Sequence, residues 1–201
     1  MTQPGTALVI GGGIAGPVAA MALQKAGIQA TVYEAHPRSA EGIGVFLTLA
    51  PNGIDALRTI GADGPALAAG FPTPRITLRS TTGKPLGTAP AGLPLADGTT
   101  SHTLKRADLY AAIHQQARAR GVVVQHGKRL IDVQQTDTGV RARFADGSQA
   151  TGAVLVGADG IRSRVRGLID PGAPAPATSG WSTSAATPAA CTWMASRVTT
   201  P

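Results

Sequence analysis

A chain of 201 residues that is 43% hydrophobic can bury one packed core, and with only 3% aromatic residues that core must be filled by Ala, Val, Leu and Ile. The net charge of +7 is scattered, with Arg162, Arg164 and Arg166 its one dense group, which argues against a nucleic-acid partner. The single cysteine, Cys191, rules out an internal disulfide; no Lys or Arg precedes Lys25 to make the basic start of a secretory signal; and the apolar run Ala7 to Leu23 is too short and glycine-broken for a good membrane span, so a cytoplasmic protein without membrane contact is expected.

Thr6 to Ile10 is a short apolar run with β-branched residues, which reads as a buried parallel strand. Gly11, Gly12, Gly13, Ile14, Ala15 and Gly16 follow at once as G-x-G-x-x-G. An Ala-rich helix is predicted from about Ile14 to Lys25, with Pro17 in its first turn, where a missing N–H costs little. Gly27 stands where a helix C-terminal glycine belongs, and Gln29 to Glu34 is the second strand. In this unit Gly11 allows the tight turn, Gly13 lets a pyrophosphate approach the backbone, and Gly16 permits close packing of the helix. The helix start offers N–H groups and partial positive charge to phosphates. Glu34 is placed to accept hydrogen bonds from a ribose diol and would repel a 2′-phosphate. FAD and NAD both use such a turn, so the turn alone leaves the two open.

A dinucleotide domain for NAD would continue into a third parallel strand soon after Glu34. This chain instead places a glycine-rich, strand-like stretch at 42–49 and a helix opened by Pro51-Asn52-Gly53 and closed by Gly61. Residues 71–100 read as an antiparallel excursion, with Ile76 to Ser80 alternating and a turn at Thr82-Gly83-Lys84. A helix is predicted from Leu104 to about Arg120, ended by Gly121. Strands follow at Val122–Val124, Leu130–Gln134 and Val140–Phe144, with a turn at Asp146-Gly147. Ala153 to Val156 is a further buried strand running into Gly157-Ala158-Asp159-Gly160, where open α/β sheets bind ligands. His36, His102, His114 and His126 share no metal-ligand spacing and are given no role, and no metal is expected. Tyr33 and Phe46 read as core or pocket wall.

Three features in order carry a resemblance over residues 6 to about 168. They are the glycine turn with Glu34, Arg106 followed by Leu109, and Gly157-Ala158-Asp159-Gly160 with Ser163 and Arg166. Together they resemble the FAD-dependent aromatic hydroxylases, the class A flavoprotein monooxygenases typified by p-hydroxybenzoate hydroxylase. The resemblance implies an α/β fold: a Rossmann-like FAD-binding domain of the GR2 type, βαβ with a parallel sheet plus an antiparallel excursion, here incomplete. It implies FAD as cofactor, with Arg106 touching the flavin cofactor and Asp159 and Gly160 near its pyrophosphate. NAD(P)H would be the co-substrate, with O₂ supplying one oxygen atom to a small aromatic or polycyclic substrate. No side chain stands out as general acid or base, so no catalytic residue is assigned.

The expected organisation is residues 1–70 and 101–170 as the FAD-binding domain and 71–100 as an excursion toward a substrate domain. Members of the family continue further, into a Gly-Asp-Ala-Ala-His motif and a sheet forming most of the substrate pocket. Neither is in this chain, which is therefore expected to be an N-terminal portion. From Pro171 to Pro201 there is no Asp or Glu and Arg197 is the one basic residue. That stretch reads as a disordered tail or, from about Ala177, as frameshifted. The competing readings are an NAD-binding Rossmann dehydrogenase and a non-catalytic nucleotide-binding fragment. Nothing bears on the oligomeric state.

Overall fold

The computed structural model describes residues 5–39, 42 and 44–176. β1 (Thr6–Ile10), α1 (Ala15–Lys25) and β2 (Gln29–Tyr33) form the opening unit. β3 (Phe46–Leu49), α2 (Pro51–Thr59), α3 (Asp63–Ala68), β4 (Gly70–Pro72), β5 (Arg75–Arg79), β6 (Pro85–Pro90) and β7 (His102–Lys105) follow. Then come α4 (Arg106–Ala119), β8 (Val123–Gln125), β9 (Leu130–Thr136), β10 (Gly139–Phe144), β11 (Gln149–Gly152), β12 (Val154–Gly157) and α5 (Arg164–Ile169).

The central sheet is parallel, in the order β12-β1-β2-β8. β1 lies between β12 and β2, and its side chains alternate between two layers. Ala7 and Val9 pack with Ala20 and Met21 of α1 and Leu109 and Ile113 of α4. Leu8 and Ile10 pack with Leu130, Ala142, Phe144 and Val165 on the opposite side. That side is covered by the antiparallel sheet β11-β10-β9 and by α5. The domain is thus three layers: helices, parallel sheet and antiparallel meander. A strand buried on both faces needs apolar residues at every position, which is why Ala7 to Ile10 lack the polar alternation of a surface strand.

Two smaller sheets fall between residues 46 and 105. β3-β7-β4 is antiparallel, and β5-β6 is a hairpin whose strand residues are all exposed. Leu104 and Lys105 do not start the helix, as the sequence suggested; they pair as strand with Phe46 and Leu47. The helix begins at Arg106, whose N–H donates to Val45 O at 2.8 Å. Of the stretch 42–49, Phe46–Leu49 is strand. Among the described residues no helix is long and apolar enough to cross a membrane. Of the tail expected from Pro171 to be disordered, or frameshifted from about Ala177, residues 177–201 lie outside the described residues.

Candidate nucleotide-binding site

β1, β2 and β12 end at Ile10, Tyr33 and Gly157, side by side. β1 sends its chain to β2 on one side, while β12 arrives on the other. A crevice opens at such a switch point, beyond the carboxyl ends of the strands. Here it is a groove of about 480 Å³, lined by Gly11, Gly13, Tyr33, Glu34, Ala35, Lys128, Leu130, Asp159, Gly160 and Arg162, among others. That volume is in the range of small-molecule sites.

The turn over this groove is built by absence of side chains. Gly11 has φ +108°, and a Cβ there would lie 2.4 Å from Ala158 O. The first turn and the Asp159-Gly160 loop therefore touch through bare backbone. At Gly16 the close approach is to the turn itself: an added Cβ would meet Gly11 O. A Cβ at Gly13 would meet nothing within 4 Å, so Gly13 presents open backbone to the groove. Ile14 already has helical dihedrals, φ −81° and ψ −45°, and α1 starts its N–H groups here.

Both acids of the groove are already engaged by backbone donors. Glu34 Oε2 accepts from Gly12 N at 2.5 Å, and Oε1 accepts from His36 N at 2.7 Å. Asp159 Oδ2 accepts from Arg164 N at 2.6 Å and Val165 N at 3.1 Å, while Oδ1 accepts from Ser163 Oγ at 2.5 Å. Asp159 thereby caps α5, helped by Ser163, whose Oγ accepts from Arg166 N at 3.0 Å. Lys128, Arg129, Arg162 and Arg164 outnumber these two carboxylates and give the lining a positive balance. A diphosphate suits that balance, as it suits a helix N-terminus with free N–H groups.

Lys128 Nζ bonds Asp146 Oδ2 at 2.7 Å and Ser148 Oγ at 2.9 Å. The Lys128 hydrogen bond, then those from the Ser148 hydroxyl and backbone, hold the Asp146 carboxyl well below the usual carboxylate range. Tyr33 stacks on Phe144, with ring centroids 4.8 Å apart. Burial pushes its phenol pKa up, against the opposing pull of Thr31 and Lys128.

The structure brings Gly11, Gly13, Glu34, Asp159 and Gly160 into one groove. Gly12 lines a smaller adjoining cleft with Gly13, Glu34, His36, Arg38 and Tyr110. Ile14 leads into α1, whose first residues are Ala15 and Gly16, and packs on the core. Arg106 is not in the groove lining; it opens α4, one turn before Tyr110, with its side chain against Gly44. Sequence reasoning missed His114. Its Nε2 lies 2.9 Å from Gly12 O and 3.2 Å from Gly13 O, directly behind the glycine turn. The signal was available: Tyr110, Ile113, His114 and Ala117 share one buried helix face, and His114 is the one imidazole among them.

Comparison with known proteins agrees with this geometry. A family model described as an FAD binding domain matches residues 5–195. The 3-amino-4-hydroxybenzoate 2-monooxygenase of Streptomyces platensis is 36% identical over 161 residues, covering 79% of this chain and 40% of that protein. The FAD-dependent urate hydroxylase of Klebsiella pneumoniae is 33% identical over 162 residues, covering 80% of this chain and 41% of that protein. Klebsiella pneumoniae HpxO, solved with FAD and uric acid, superposes with a TM-score of 0.68 at 31% identity, over 81% of this chain and 41% of that one. The chain spans about 40% of the length of the curated relatives it matches.

Proposed function

Because this chain belongs to the FAD binding domain family, within the class A flavin monooxygenases, its cofactor is FAD, and we propose how it holds that cofactor. Gly13 carries the reading: its bare backbone faces a groove whose lining cations outnumber its acids. The diphosphate would lie over Gly11, Gly12, Gly13, Ile14, Ala15 and Gly16, at the start of α1. The adenosine ribose would bond Glu34, which accepts two hydrogen bonds and keeps further lone pairs. Adenine would rest against Ala35 and Leu130. Gly160 would approach the diphosphate from the other wall, on a loop that Asp159 holds rigid. Arg106 would meet the cofactor from the α4 side.

When bound, FAD supplies the redox chemistry of oxygen insertion, with NAD(P)H as reductant. This chain's residues bind and orient the nucleotide half. The activity we propose is hydroxylation of a small aromatic or polycyclic compound by the whole protein, in the cytoplasm. The relatives named above act on an aminohydroxybenzoate and on urate. We assign residues 1–70 and 101–170 to cofactor binding and 71–100 to an excursion toward the substrate side.

The test is a visible spectrum of the purified chain after incubation with FAD, with the released cofactor identified. Flavin bands that persist through gel filtration and release FAD support the reading. A chain that stays colourless and does not change FAD fluorescence on titration overturns it.

A further inference from the structure

We propose that His114 is a positioning residue that aims the N–H groups of the glycine turn at the cofactor's diphosphate; this rests on the FAD reading above. Carbonyl oxygens only accept, so a ring nitrogen facing Gly12 O at 2.9 Å and Gly13 O at 3.2 Å must carry the proton. The Nε2–H of His114 is therefore shared between two successive carbonyls. In a trans peptide the C=O and the next N–H point in opposite directions. Tying down the oxygens of Gly12 and Gly13 turns the N–H groups of Gly13 and Ile14 away from α4, on the side where Gly13 is bare.

A second observation explains why this donor is needed. Ile14 is already helical, so Gly13 O is in line for the N–H of the residue four places on. That residue is Pro17, which has none. His114 reaches across from α4 and supplies the donor that the proline removes. The ring itself is held: it is buried and stacks on Tyr110, with centroids 4.0 Å apart. A flexible glycine turn is thus ordered before the anion arrives, and preorganised donors bind more tightly than ones ordered on binding.

The experiment compares the full chain with His114→Leu, His114→Asn and His114→Gln, titrating FAD, ADP and adenosine and recording each apo-protein's thermal midpoint. His114→Leu removes the donor. His114→Asn stays polar but is too short to reach, and stands in if the Leu variant fails to fold. The expected result for both is about tenfold weaker FAD and ADP binding, with adenosine within about twofold of wild type. His114→Gln, which can still donate, restores most of the phosphate affinity. Wild-type affinity for FAD and ADP in the loss variants overturns the inference. So does an equal fall for all three ligands without rescue by Gln, which would mark a general loosening of the fold. Wild type taking up neither FAD nor ADP would overturn the FAD reading, and this inference with it.

Discussion

The carboxylate of Glu34 accepts a 2.5 Å hydrogen bond from the backbone N–H of Gly12, so the acid that follows β2 holds the turn that leaves β1. One residue thus has a structural bond to the turn and, on the proposed reading, would keep lone pairs for the ribose. Glu34→Gln loses charge and one acceptor, and FAD affinity is expected to fall roughly tenfold, the size of one charge-assisted hydrogen bond. Glu34→Ala should fall further and also lower the thermal midpoint of the apo-protein. Flavin fluorescence titration reads the first effect and calorimetry the second.

Gly11 and Gly13 should respond oppositely to the same change. Gly11→Ala puts a Cβ at positive φ and 2.4 Å from Ala158 O, so the two loops must separate. A loss of about 3 kcal/mol or more is expected, seen as poor soluble yield or a low denaturant midpoint. Gly13→Ala meets nothing within 4 Å, so the fold should keep its midpoint to within about 1 kcal/mol. FAD binding should nevertheless drop at least tenfold, because the methyl occupies the diphosphate's approach.

Asp159→Ala removes the acceptor for Ser163 Oγ, Arg164 N and Val165 N together. Loss of a helix cap of this kind costs about 1–2 kcal/mol. Asp159→Asn, which keeps one carbonyl oxygen, should lie between Ala and wild type in urea unfolding.

The Lys128–Asp146 pair makes a pH prediction. Hydrogen bonds from Lys128 and Ser148 depress the folded-state pKa of Asp146. The unfolded chain therefore takes up the proton first as pH falls, and the pair's stabilisation is full above about pH 4 and lost progressively below it. Asp146→Asn should flatten that acid limb of the unfolding midpoint and lower the neutral-pH midpoint by the same small amount, since Asp146 is exposed and the pair screened.

Pro17 and His114 should be coupled. Pro17→Ala restores an N–H for Gly13 O, so His114→Leu should weaken ADP binding only about threefold in that background, against about tenfold alone. Additive effects in the double-mutant cycle would mean the two groups do not serve the same carbonyl.

The opening unit was legible because its signals are local. Glycine spacing, an apolar strand and an Ala-rich helix predicted β1, α1 and β2 to within a residue at each end. The parts that were not legible owe their form to distant partners. Leu104 and Lys105, the end of β7, read as the start of α4 because Arg106–Ala119 follows without a break; only pairing with β3 and β4 makes His102–Lys105 a strand. Gln149–Gly152 carries no apolar alternation, and its strand form comes from pairing with β10. α3 is six residues containing Gly64 and Pro65, too short and too poor in helix formers to show. In the site, the groove glycines and Glu34 announced themselves by motif, whereas His114 lies about a hundred residues from the carbonyls it meets.

The pairing of β1 with β12 has a kinetic meaning. Ala7 pairs with Val154, and the glycine turn rests on Ala158, so almost the whole described chain must be made before this contact closes. Loop closure of that length is slow, and contacts of high sequence separation form late. During synthesis β1, α1 and β2 emerge before β12, and the turn between them stays without its second wall until the residues after Gly157 leave the ribosome. On the FAD reading above, the cofactor would find its site only once β12 has joined the sheet, and binding that closed form would work as a latch on it.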